Sequence, residues 1–231
     1  MKEKILNNCR IIDPSQKLDE IGNILIDQKG KIKDIGKKVK IPNKNENTEI
    51  FDCKGNLAIP GIVDMNVFVG EPGYEYKENF RTLTQAAFAG GVTSVVTMPN
   101  TKPIIDNVSM VDFIIRRGRD KSNLNIFPAA SLTKDMAGKE MVEFGLLSAK
   151  GIVGFTDPFQ SVQNTETMSR IMNYASDMGT LIMQHPEDNE LSKNGCANEG
   201  EIATRLGLES IPSIAEKIII ERDLTLLEEY P

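Results

Sequence analysis

Side chains alternate along a strand, so positions 66 and 68 of the apolar run 62–68 point the same way. A metallohydrolase would place two histidines at such a pair to hold zinc. Here the residues are Asn66 and Phe68. An amide is a poor zinc ligand and a phenyl ring is none. Other polar groups with chemical potential sit where later apolar runs end. Asn100 follows Met98-Pro99, Asp157 follows Thr156, and His185 follows Gln184. His185 is the only histidine. Glu187, Asp188 and Glu190 add oxygen atoms nearby. Each group also has a plain structural reading. Asp157 before Pro158 and Asn100 in Pro-Asn-Thr both suit turns, and a lone histidine suits a hydrogen-bonded structural role.

The cysteines, Cys9, Cys53 and Cys196, are odd in number and far apart in sequence. Without a Cys-x-x-Cys pair they read as reduced structural thiols, and a nucleophilic cysteine would need a basic partner. A net charge of −6 argues against general nucleic-acid binding. No apolar run approaches the ~18 residues of a membrane span, and the N-terminus has no signal-peptide core. A cytoplasmic protein is expected.

The elements that must position these groups fall into two parts. Residues 1–58 carry short β signals at 5–12, 23–27, 31–35 and 49–52, a hairpin turn at 28–31 and a polar loop at 42–47. They form a small β domain. Residues 59–231 alternate strand and helix. Strands are expected at 62–68 (buried), 92–98, 125–130, 152–155 and 180–183. Helices are expected at 77–89, from Val108, within 138–148, at 165–177 and from Ser213. Phe80, Leu83 and Ala87 mark one helix face, and Ser213 with Glu216 has capping-box spacing. This order predicts an α/β fold with a parallel sheet, either open and doubly wound or a (β/α)₈ barrel. A barrel of about 250 residues uses roughly 31 per unit, so 59–231 would hold the first five units and stop before the sixth. Open strand edges then call for a longer chain or for association, here a homo-oligomer.

The segments Pro60-Gly61-Ile62-Val63-Asp64-Met65 and Glu71-Pro72-Gly73 resemble the dihydroorotase branch of the amidohydrolase superfamily. So do Ala89-Gly90-Gly91-Val92-Thr93-Ser94-Val95-Val96 and Met98-Pro99-Asn100-Thr101-Lys102-Pro103. The resemblance implies a TIM barrel with a small β domain, zinc as cofactor, and the interconversion of N-carbamoyl-L-aspartate and dihydroorotate in pyrimidine biosynthesis. It implies metal-binding histidines at positions 66 and 68 and a substrate-gripping arginine at position 70. This chain has Asn66, Phe68 and Gly70 there. Asn100 matches a substrate-binding asparagine, while Asp157 and His185 match metal-ligand positions and are expected as vestiges. The reading is a dihydroorotase-like chain that is inactive or weak. One alternative is a non-catalytic scaffold for aspartate transcarbamoylase. A second is another cyclic-amide hydrolase, with Gly70 opening space where the arginine would stand.

Overall fold

The computed structural model describes residues 2–41 and 47–230, so most of the polar loop expected at 42–47 lies outside the described residues. The chain divides into two compact units, Met1–Gly61 and Ile62–Pro231.

The first unit is a sheet of β1 (Glu3–Asp13), β2 (Leu18–Ile26), β3 (Ile32–Gly36), β4 (Thr48–Asp52) and β5 (Leu57–Ala58). The order is β3-β2-β1-β4, with β5 also on β1. The β2–β3 turn is tied by Asp27, whose carboxylate accepts from the main chain of Lys29 and Lys31. β2 begins at Leu18, five residues before the expected start at Asn23. Its first turn of sequence is charged, which hides the alternation; Asp19 is instead held by Arg10 of β1 through two bonds of 2.9 Å. Cys9, Ile11 and Ile24 form the core.

The second unit runs β6 (Ile62–Val67), α1 (Phe80–Ala89), β7 (Val92–Thr97), α2 (Val108–Lys121) and β8 (Asn125–Pro128), followed by α3 (Phe144–Ser148) and α4 (Thr165–Met178). It then continues with β9 (Ala197–Asn198), α5 (Glu201–Leu206), β10 (Ser210–Ile211) and α6 (Ile214–Glu229). β6, β7 and β8 are parallel and adjacent. The sheet direction continues only as single parallel bridges, Ala130 to Phe155 and Phe155 to Ile182. The strands expected at 152–155 and 180–183 are reduced to those bridges. The core lies between sheet and helices. Phe80, Leu83 and Ala87 of α1, Val111 and Ile114 of α2, and Met168 and Ile171 of α4 are all buried, as their helical spacing requires. Phe144 stacks on Phe155 with ring centroids 3.9 Å apart.

Two expectations are corrected. The strand at 62–68 is not buried: β6 is an edge strand paired only with β7, and Ile62, Val63 and Met65 stand exposed. The Ser213 capping box does not form. Ser213 itself has helical φ −58° and ψ −23° and makes no side-chain cap bond. A cap residue needs an extended backbone to aim its oxygen at the next turn. The box occurs on α1 instead, where Asn79 accepts from Arg81 and Thr82 and Thr82 answers to the Asn79 main chain. Among the described residues no helix is long and apolar enough to cross a membrane.

Candidate active site

Asn66, near the end of β6, lines a hollow of about 160 Å³ that also takes in Met98, Thr156, Phe159, Met183 and His185. Strand ends thus bring Asn66 and His185 to one place. Phe68 lies just past β6 and packs against Tyr74, centroids 6.1 Å apart. Asn100 follows β7, and its Oδ1 is buried with no hydrogen-bond partner among the described residues. His185 is half-exposed; its Nε2 stands 3.6 Å from a Glu187 carboxylate oxygen. Its main-chain carbonyl accepts from Ser161 Oγ, whose oxygen accepts in turn from Glu187 N at 2.7 Å.

Asp157 is turned to other work. Its Oδ1 accepts from Leu132 N at 2.8 Å and Thr133 N at 3.3 Å, and its Oδ2 from the Thr133 hydroxyl. The side chain is buried and borders a different hollow, of about 80 Å³, with Gln160, Ser161, Gln163 and Asn189. This carboxylate ties two neighbouring strand ends together.

This donor set suits zinc poorly. The amide of Asn66 is a weak donor, Phe68 offers none, Asp157 is committed to its own backbone clamp, and His185 is left with Glu187. No group of three His, Cys, Asp or Glu among the described residues could hold a metal ion. The residues present do not fit the zinc centre that the resemblance implies.

Burial pushes the Asp157 carboxyl above its ordinary 3.8, and the bonds from Thr133 and Leu132 only partly oppose the rise. A carboxyl raised on folding contributes stability that is full below its unfolded value, about 3.9, and lost as pH climbs through the folded value. Asn cannot ionise. The stability of Asp157→Asn relative to the parent is therefore expected to rise as pH increases from below about 3.9 toward neutrality. Urea unfolding across that range reads the slope, and a falling difference would contradict the burial argument.

The turn after β6 explains why its surroundings persist. Glu71 is nearly buried; its Oε2 accepts from Phe80 N, the first residue of α1, at 3.1 Å, and its Oε1 pairs with Arg117 of α2. It thus caps one helix and holds a second. Sequence reading missed this pair, because 46 residues separate its members and neither belongs to a local motif. Gly70 sits just before, with φ +69°. A Cβ there would lie 2.6 Å from Glu78 O and 2.8 Å from Tyr74 O. The glycine opens no space. Backbone carbonyls fill the place an arginine would leave from, which removes the reason for reading an altered cyclic-amide specificity.

A second unforeseen network steadies the strand end that carries His185. Gln184 donates to Asp223 Oδ2 at 2.7 Å, and Arg222 donates to the carbonyls of Val162 and Gln163. It joins α6 to two loops by contacts that no spacing rule exposes.

Parallel strands joined by crossover helices, with polar residues gathered at strand ends, are the arrangement of part of a (β/α)₈ barrel. Solved folds agree. An L-hydantoinase (dihydropyrimidinase) from Arthrobacter aurescens superposes with TM-score 0.78 at 19% identity, over 100% of this chain and 51% of that one. A crystal structure of a dihydroorotase gives TM-score 0.59 at 15% identity, over 98% of this chain and 63% of that one. A family model described as Dihydro-orotase-like matches residues 55–229. The dihydroorotase of Syntrophus aciditrophicus (strain SB) is 40% identical over 225 residues, 97% of this chain and 52% of that one. That of Ehrlichia chaffeensis (strain Arkansas) is 42% identical over 225 residues, 96% of this chain and 49% of that one. The chain belongs to the dihydroorotase-like family, and it spans about half the length of these curated relatives.

Proposed function

We propose that this chain is a dihydroorotase-like protein of pyrimidine biosynthesis that lacks the family's hydrolytic activity. The single observation that carries the reading is the packing around Gly70, where Glu78 and Tyr74 carbonyls occupy the origin of the substrate clamp. Opening or closing a cyclic amide needs an activated nucleophile or base and a cation for the substrate carboxylate. Asn66, Phe68 and Gly70 supply neither, and Asn100 keeps only a neutral amide for the carboxylate. Equilibrium dialysis against zinc tests the reading on the full chain. Substoichiometric zinc, unchanged in His185→Ala, is expected. One tightly held zinc per chain that is lost in His185→Ala would overturn it.

A chain of this kind acts by association. Aspartate transcarbamoylase is the proposed partner, and self-association into a homo-oligomer is proposed beside it. Support comes from exposed apolar surface in the second unit: Ile62, Val63 and Met65 on β6, and an apolar groove of about 550 Å³ between α4 and α6. Sedimentation of the chain alone and mixed with aspartate transcarbamoylase measures both. A monomer whose boundary is unmoved by mixing would contradict them. A cytoplasmic location goes with this role, and fractionation of the source cells tests it.

A further inference from the structure

Two of the three cysteines meet. Cys9 lies on β1 and is fully buried, and Cys53 follows β4 directly and is partly exposed. β1 and β4 are parallel, with Asn7 opposite Asp52. Carried straight on, that register would set Asn8 beside Cys53 and send Cys9 past it. The strand bulges instead. Asn8 has φ +56°, and the pairing of β1 with β2 jumps from Leu6 to Cys9. Such an extra residue re-aims the side chains that follow it. The carbonyls of Asn7 and Asn8 accept from Cys53 N and Gly55 N, each at 2.8 Å, which fixes the turn against the bulge. Cys9 and Cys53 consequently share one apolar cluster with Ile11 and Ile24, and the Cys53 thiol donates to Phe51 O at 3.9 Å.

We propose that Cys9 and Cys53 form an oxidisable dithiol that closes to a disulfide in the folded protein when it meets a small disulfide of the glutathione type. The more accessible Cys53 reacts first. Its thiolate attacks one sulfur of glutathione disulfide, forming a mixed disulfide and expelling glutathione thiolate. The Cys9 thiolate then attacks the Cys53 sulfur, forms the Cys9–Cys53 bond and expels the second glutathione. Two protein thiols are oxidised, one glutathione disulfide is reduced, and the two protein protons end on the two released thiols. Burial, and then contact with Cys53, pushes the Cys9 thiol up to about 11. Closure draws on the Cys9 thiolate, so its rate should rise with pH between 7 and 9. The closed bond pins β1 to the end of β4, a constraint the bulge alone does not supply.

The test uses the full chain with glutathione disulfide, an acid quench, alkylation and peptide mapping. The expected product is a linked Cys9–Cys53 peptide lighter by two hydrogens, with a lasting glutathione adduct only at exposed Cys196. Cys9→Ser should trap the adduct at Cys53, and Cys53→Ser should leave Cys9 unmodified. The denaturation midpoint of the oxidised parent should exceed that of the reduced parent. If the parent keeps a stable glutathione adduct at Cys53 while Cys9 is recovered as a free thiol, the proposal is wrong. That mapping is made on the parent, so it stands even where a serine variant fails to fold.

Discussion

Gly70→Arg is expected to destabilise the second unit by about 3–5 kcal/mol rather than restore a substrate clamp. Two effects combine. A side chain at φ +69° costs on the order of 1–3 kcal/mol by itself. The Cβ would also press on two main-chain carbonyls, Glu78 O and Tyr74 O. Neither can swing aside as a side-chain end would. Tyr74 O already accepts from Lys77 N at 2.8 Å, and Tyr74 N donates to Gly70 O at 2.6 Å, so moving the carbonyls unravels the turn that leads into α1. Gly70→Ala, carrying the same Cβ, should show most of the loss. Asn66→His changes an exposed side chain and should cost under about 0.5 kcal/mol. Urea unfolding followed by circular dichroism separates these, and an arginine variant as stable as the parent would show that the turn is softer than described.

The second large effect is expected at Glu71. Glu71→Ala should cost about 2–3 kcal/mol, because it strips the acceptor from Phe80 N and a negative charge from the start of α1. Glu71→Gln keeps an acceptor and should cost about half as much. Arg117→Ala leaves a nearly buried carboxylate without its cation, yet the arginine itself is half-exposed and screened, so a smaller loss than that of Glu71→Ala is expected. A double-mutant cycle should show a small favourable coupling between the two. Additive single effects would mean that the pair is incidental and the cap alone matters.

These two residues show why a turn can outlast the chemistry beside it. Glu71-Pro72-Gly73 is explained by helix capping and by close packing, since a Cβ on Gly73 would meet Lys102 O at 2.2 Å. The turn holds the fold whether or not the neighbouring positions bind anything. A family motif therefore reports scaffold and site together, and only the structure separates them.

The alternation of strand and helix was legible because apolar spacing is local. Phe80-Leu83-Ala87 and Met168-Ile171-Ala175 fall on buried helix faces as their period requires. Burial of β6 was not legible. An apolar strand reads the same whether it has one neighbour or two, and here it has one. The stretch after His185 escaped for a different reason: β9 and β10 have two residues each and α5 has six, too short for any period to show. At the site, residue types at 66, 68 and 70 already spoke against zinc and against the clamp. The engagement of Asp157 with Leu132 and Thr133, the contact of Cys9 with Cys53, and the crowding at Gly70 depend on chain segments meeting in space, which spacing does not encode.

The proposed reading is that the scaffold around the strand ends persists while Asn66, Phe68 and Gly70 leave it without the groups for chemistry. Turnover measures it most directly. The purified chain, supplied with zinc, is offered dihydroorotate in one direction and N-carbamoyl-L-aspartate in the other. The expected result is no conversion above the uncatalysed rate, with the same trace in His185→Ala. Zinc-dependent conversion that disappears in His185→Ala would contradict the account.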